Sequence, residues 1–196
     1  MRPGRIYAIG ADPSEGIGKD HSAAVVLEVD GLKPKVVATY ADNQCPPEDF
    51  AHILKRLSER YNSAVIAVER NNHGHAVLAT LKHVYDEDLL YRQQDPSILS
   101  SASIRLGFNS NAATKPLILH ALAQVIRERS LLIPSKELLD EMRLYPRTEA
   151  TKTRSDETAT RHWDLTISLA LALHCAEYAL KSGKGGTMSG VTYVPT

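Results

Sequence analysis

Two short apolar runs, each closed by an acid, constrain this chain more than any other feature. Arg5-Ile-Tyr-Ala-Ile-Gly-Ala-Asp12 ends on Asp12, and Ser63-Ala-Val-Ile-Ala-Val-Glu69 ends on Glu69. Runs this short, built from Ile, Val and Ala, read as strands rather than helices. After the first comes a turn-rich stretch, Asp12 to Asp20, then a second strand over Ser22 to Val29. Asp30-Gly31 makes a turn, and Val36 to Tyr40 a third strand. Connections so short predict three antiparallel strands in meander order. Pro46-Pro47 then introduces a helix over Glu48 to Tyr61, with Phe50, Ile53, Leu54 and Leu57 at helical spacing. The helix returns the chain to Ala64–Val68, which is apolar on both faces and so expected at the centre of a sheet, parallel to the first strand.

Downstream, the pattern predicts a helix from His75 to Tyr85, a short strand around Leu89 to Arg92 and an irregular polar segment from Asp95 to Asn111. A strong helix follows from Thr114 to Arg129, with Thr114 as N-cap and Pro116 in its first turn. Leu131 to Ile133 reads as extended, and Ser135 as the cap of a helix ending near Leu144. Tyr145 to Arg161 is polar and rich in threonine, in keeping with a hairpin or mobile loop. A last apolar helix spans His162 to Leu180. The expected organisation is one domain over 1–181 and a flexible tail over 182–196, glycine- and serine-rich at its start. This is an α/β mixed sheet, a three-stranded antiparallel meander plus parallel strands flanked by helices, in the order of the ribonuclease H fold.

At 196 residues the chain is long enough for one domain with a substantial core. No apolar run reaches the ~20 residues of a membrane helix, and Met1-Arg-Pro-Gly-Arg-Ile leads straight into a strand without a signal peptide. Cys45 and Cys175 form neither a disulfide framework nor a zinc site and read as reduced thiols of a cytosolic protein. Lysine plus arginine number 23, as do aspartate plus glutamate, so the formal net charge is zero. Proteins that grip DNA alone usually carry basic excess, because counterion release supplies much of their affinity. This chain needs a local basic patch, or something else that holds the DNA.

The acids carry the chemistry. Parallel neighbouring strands would set Asp12 and Glu69 side by side at the carboxyl edge of the sheet, where α/β folds build their sites. Asp164, opening the last helix, reaches the same point, and the helix dipole favours its charge there. Three carboxylates that close repel unless a cation lies between them. Oxygen ligands suit Mg²⁺ or Mn²⁺, and two such ions about 4 Å apart can activate a water and steady the leaving oxygen at a phosphodiester. Any one of these acids alone would read as a cap or turn residue; their joint placement makes the case. Asp20, behind Gly16 and Gly18, is a further candidate for metal contact, and Gly16-Ile-Gly18 reads as a tight hairpin rather than a phosphate loop. His73 and His75 read as residues of a solvated loop, His162 as a neighbour of the metal ligands, and His52, His83, His120 and His174 as structural. Lys115, at the start of the strong helix, is placed to share a phosphate with the helix N-terminus. In the loop, Arg147, Lys152, Arg154 and Arg161 face Glu149, Asp156 and Glu157, a net of one positive charge, and its threonines offer bonds to phosphates. No nucleophile-elbow sequence supports a hydrolase triad.

Four stretches resemble the nuclease domain of the large terminase subunit of tailed bacteriophages. They are Ile9-Gly-Ala-Asp12-Pro-Ser-Glu-Gly-Ile-Gly-Lys-Asp20, Val68-Glu69-Arg-Asn-Asn, Leu106-Gly-Phe-Asn-Ser-Asn-Ala-Ala-Thr-Lys115-Pro116 and His162-Trp-Asp164-Leu-Thr-Ile-Ser-Leu-Ala. The resemblance implies a ribonuclease H-like fold and metal-dependent cutting of concatemeric double-stranded DNA during packaging, in the cytoplasm of an infected bacterial host. It also implies partners: a packaging ATPase N-terminal to this domain, a portal and a small terminase subunit. No Walker A sequence is present, as expected of the nuclease domain alone. The family shows His-Asp-Asp where this chain has His162-Trp163-Asp164, so one carboxylate is replaced by tryptophan. Two other readings stay open: another ribonuclease H-like nuclease such as a Holliday-junction resolvase, and a non-catalytic module that grips DNA or docks on the portal.

Overall fold

The computed structural model describes residues 2–94, 104–145 and 163–182. Three strands, β1 (Tyr7–Asp12), β2 (Ser22–Glu28) and β3 (Lys35–Asp42), form the expected antiparallel meander. Helix α1 (Pro47–Arg60) crosses over and delivers β4 (Val65–Val68) parallel to β1, giving the sheet order β3-β2-β1-β4. Helix α2 (Asn72–Val84) and a 3₁₀ turn (Glu87–Leu89) lead to a small antiparallel pair, β5 (Arg92–Gln94) and β6 (Ile104–Leu106). Helices α3 (Thr114–Arg127), α4 (Lys136–Leu144) and α5 (Asp164–Ser182) complete the described residues. This is the mixed α/β architecture that the strand and helix order predicts.

Alternation along the strands divides the core. Tyr7, Ile9 and Ala11 of β1, with Ile66 and Val68 of β4, pack against Phe50 and Leu54 of α1 and Val77 and Leu81 of α2. Ala8, Val65 and Ala67 face the opposite side, against Ile118 and Leu122 of α3 and the length of α5. Helix α5 is buried continuously from Leu165 to Ala172, as a helix apolar all round must be. It lies directly on β1. A Cβ on Gly10 would fall 2.0 Å from the Ser168 carbonyl oxygen and 2.4 Å from the Ala172 nitrogen, so glycine alone admits the helix at this distance.

Several expectations change. Strand β4 ends the four-stranded sheet instead of lying at its centre. Its outer edge is nevertheless satisfied by parallel bridges, with Tyr91 N donating to Ile66 O and Phe108 N to Val68 O, both at 2.8 Å. The helices on the two sides of the sheet bury its two faces. The strand expected around Leu89 to Arg92 is reached in part: Leu89 ends a 3₁₀ turn, Leu90 bridges Ile66 and Arg92 opens β5, while β6 falls within the segment expected to be irregular. Ile104-Arg105-Leu106 is too short and too mixed in polarity to announce itself; pairing with Arg92–Gln94 creates it. Leu131 to Ile133 touches the main sheet through a parallel bridge between Leu132 and Lys35. Helix α5 continues through Ser182, into the first residue expected in the tail. The remainder of that tail, the loop residues 146–161 and His162 lie outside the described residues. Among the described residues Cys45 and Cys175 are free and buried, and no helix is long and apolar enough to cross a membrane.

Candidate metal centre

The same alternation that divides the core aims the acids. Asp12 follows Ala8 and Gly10 in phase, and Glu69 follows Val65 and Ala67, so both carboxylates project to the α5 face of the sheet. The parallel register pairs Ala11 with Val68, and Glu69 N donates to Ala11 O at 2.8 Å. Asp164, first residue of α5, approaches from above. Its Oδ2 accepts from the backbone N–H of His21 at 2.8 Å, and His21 Nδ1 lies 3.7 Å away. The Ser168 hydroxyl, shared between the Asp164 and Ala23 carbonyls at 2.7 and 3.0 Å, ties the first turn of α5 to the residue opposite Asp12.

These acids line one open cavity of about 330 Å³, with Asp20, His21, His73 and Lys115 on its rim and walls. Of the residues chosen from sequence, the fold brings together Asp12, Glu69, Asp164, Asp20 and Lys115. Lys152, Arg154, Arg161 and His162 lie outside the described residues. His73 corrects an expectation: it sits in the first turn of α2 at the cavity, not in a solvated loop. Thr114 corrects another. It is the first residue of α3, not its cap, and Asn111 Oδ1 accepts from the Ala113 and Thr114 amides at 2.8 and 3.0 Å. The Lys115 amide donates to Asn111 O, and Pro116 has none. The start of α3 therefore offers an incoming phosphate the Lys115 ammonium and not its amides.

The two strand-end acids are pushed in opposite directions. Burial pushes the Asp12 carboxyl well above the ordinary carboxylate range. The hydrogen bond to Glu69 and the charges of Glu69 and Asp164 push the same way, while Lys115 pulls it down. Burial alone would raise Glu69 too, but the bonds from Asp12 and Ser110 and the charge of Lys115 outweigh it and leave Glu69 lowered. The Ser110 hydroxyl is buried without a well-formed hydrogen bond, yet close enough to Glu69 to favour its ionised form. Two carboxyls pressed together in this way mark where a cation would relieve their repulsion. The donor set, all carboxylate oxygen, fits Mg²⁺ or Mn²⁺. Among the described residues no three acidic, histidine or cysteine side chains are already drawn into a ligand cage.

Three features of the site gave no sequence signal strong enough to single them out. His21 looks like the first residue of a strand, Glu141 like a surface acid of α4, and Asn71 like a turn residue. Asn71 uses both ends of its amide. Oδ1 accepts from Gly74 N at 2.7 Å and caps α2, while Nδ2 donates to Pro13 O at 3.1 Å. It therefore joins the residue after Asp12 to the helix after Glu69. Asn71→Ala is expected to cost about 2 kcal/mol, one part cap and one part lost bond. Asn71→Ser, which keeps a capping oxygen but loses the amide donor, should cost about half that; chemical denaturation of both variants checks it.

The sequence matches the terminase RNaseH-like domain over residues 9–175. The chain belongs to the terminase RNaseH-like domain family. Its fold is similar to that of the large terminase nuclease from the thermophilic phage G20c. The magnesium-bound form of that nuclease is 24% identical over 89% of this chain and 83% of that one, with a TM-score of 0.65. The zinc-bound form is 25% identical over the same shares, with a TM-score of 0.60. The human cytomegalovirus terminase nuclease domain, soaked with Mn and bound to an inhibitor, shares the fold at 10% identity, covering 92% of this chain and 88% of that one, with a TM-score of 0.61. No curated protein matches the chain. As a terminase RNaseH-like domain the chain is a nuclease of the viral packaging machinery, and the carboxylate cavity is the candidate seat of its chemistry.

Proposed function

We propose that this domain is a metal-dependent endonuclease that cuts concatemeric double-stranded DNA during packaging, with Asp12, Glu69 and Asp164 holding the metal and Asp20 assisting from the rim. The observation that carries this reading is the convergence of three carboxylates and Lys115 on one open cavity at the carboxyl edge of the sheet. The proposed ions are Mg²⁺ or Mn²⁺, as a pair; when bound they would supply the activated water and the charge that steadies the leaving oxygen. The chain's own residues do the rest. Asp12, whose carboxyl is pushed up by burial and by Glu69, is the ligand that gains most from a cation, the surroundings of Glu69 favour its ionised form, and His21 orients Asp164 through its amide. Lys115 offers a single positive charge to a phosphate oxygen, and Lys152, Arg154 and Arg161 are the proposed further contacts to the backbone. A zero net charge fits a domain delivered to DNA by its partners, proposed here as the packaging ATPase, portal and small terminase subunit in the cytoplasm of the infected host.

Purified protein incubated with linear, supercoiled and branched DNA, with Mn²⁺, Mg²⁺ or a chelator, tests the proposal. Metal-dependent cutting of plain duplex is the expected result. Cutting confined to junctions would make the domain a resolvase, and no cutting despite tight metal binding would make it a gripping or docking module.

Lys115 gives a prediction whose sign follows from the acids. Because its charge pulls both Asp12 and Glu69 down, Lys115→Ala should move both up. The pH at which Mn²⁺ binding reaches half its plateau then shifts to higher pH, and cutting at neutral pH falls roughly 10- to 100-fold, the equivalent of about 1.4–2.7 kcal/mol. Calorimetric Mn²⁺ titrations across pH 5 to 9 measure the shift, and Lys115→Arg should restore the wild-type midpoint.

A further inference from the structure

Asp12 and Glu69 are held by sheet hydrogen bonds, but Asp164 opens a helix whose first amides have no partner within it. The usual remedy is an Asn, Asp, Ser or Thr at the N-cap. Here the preceding residue is Trp163, whose side chain has no oxygen and packs edge-on against Tyr145 with ring centroids 5.1 Å apart. The cap comes from another helix. Glu141 of α4 accepts from Thr166 N at 2.6 Å and from the Thr166 hydroxyl through Oε1, and from Leu165 N at 3.3 Å through Oε2. Asp164 is thus steadied from two sides, by the His21 amide on its carboxylate and by Glu141 beneath the turn that carries it. It lines both the carboxylate cavity and a second cavity of about 230 Å³, whose walls include Glu137 and Glu141.

We propose that Glu141 is a positioning residue for Asp164, replacing the helix cap that Trp163 cannot supply. Both Glu141 oxygens accept from α5 donors, so the carboxylate is turned toward the helix turn that carries Asp164. Burial pushes the Glu141 carboxyl up and the nearby Asp164 charge adds to this, while the bonds from Thr166 and Leu165 pull it down.

The inference rests on the metal-dependent reading above, and its test separates the two. Glu141→Ala and Glu141→Gln are compared with wild type by Mn²⁺ titration calorimetry, duplex cutting and amide hydrogen exchange, all well below the melting temperature. In Glu141→Ala, exchange at the Leu165 and Thr166 amides should speed up at least tenfold while the β1 amides keep their protection. The Kd for Mn²⁺ should rise about tenfold, kcat should fall with KM for DNA unchanged, and Glu141→Gln should recover most of each. Unchanged exchange in Glu141→Ala overturns the cap, and an unchanged Mn²⁺ Kd with only a lower melting temperature reduces Glu141 to a stabilising contact. A Mn²⁺ stoichiometry reduced equally in both variants would make Glu141 a ligand and refute the proposal. If wild-type protein binds no Mn²⁺, the metal-dependent reading fails, and with it the proposed purpose of holding Asp164; exchange then reports on the cap alone.

Discussion

Asp12→Asn is expected to abolish cutting while making the metal-free domain more stable. Asparagine keeps the shape of the side chain but removes the charge that a metal needs. Losing several kcal/mol of metal-derived transition-state stabilisation, at 1.36 kcal/mol per decade, lowers the rate on the order of a thousandfold or more. The stability gain follows from the raised carboxyl of Asp12. An acid whose folded pKa lies above its unfolded value contributes stability that is present below the unfolded value and lost as pH rises through the folded one. At neutral to alkaline pH the metal-free wild type therefore carries two buried carboxylates whose repulsion the variant lacks. The melting temperature of Asp12→Asn should exceed that of wild type by about 2–4 °C per kcal/mol relieved, by more at pH 8 than at pH 5. Adding Mn²⁺ should reverse the order, because only wild type gains from binding. Thermal melts at two pH values with and without metal decide it; a variant that cuts like wild type would remove Asp12 from the site.

Gly10→Ala is expected to be the most damaging single methyl group in the domain. The new Cβ would sit 2.0 Å from a helix carbonyl and 2.4 Å from a helix nitrogen, where ordinary contacts are about 3.5–4 Å. Backbone cannot turn aside as a side chain can, so α5 must move off β1 by more than 1 Å, which also disturbs its buried face from Leu165 to Ala172. A cost of about 3 kcal/mol or more lowers the melting temperature by roughly 6–12 °C in a domain of this size. Activity measured well below the melting temperature should fall as well, because the displaced helix carries Asp164. A melting temperature within 2 °C of wild type would mean that the helix does not rest on this glycine.

The strand order was readable in the sequence because it rests on local signals that need no partner. Ile6 to Ala11 and Ala64 to Val68 are apolar and bounded by turns, and the helix between them shows its period in Phe50, Leu54 and Leu57. The same locality limits what could be read. β6 exists through its pairing with Arg92–Gln94, and the edge of β4 is completed by Leu90 and by Phe108, the second of which lies in a segment with no strand-like run. At the site, Asp12, Glu69 and Asp164 stood out because each closes or opens an apolar element. Asn71, His21 and Glu141 did not, because their parts depend on atoms 58, 143 and 24–25 residues away along the chain. Thr114 shows the converse: a residue of the right type in the right place for a cap, displaced because Asn111 takes that duty first.

Direct seating of α5 on the backbone of β1 has a consequence for how this domain tolerates mutational drift. Where a helix rides on side chains, every change of core volume shifts it by tenths of an ångström. Here the contact at Gly10 is with the helix main chain, so at this one point no aliphatic side chain of β1 sets the spacing between the strand that ends on Asp12 and the helix that opens on Asp164. Drift in side-chain volume has least purchase there, at a position with no side chain at all.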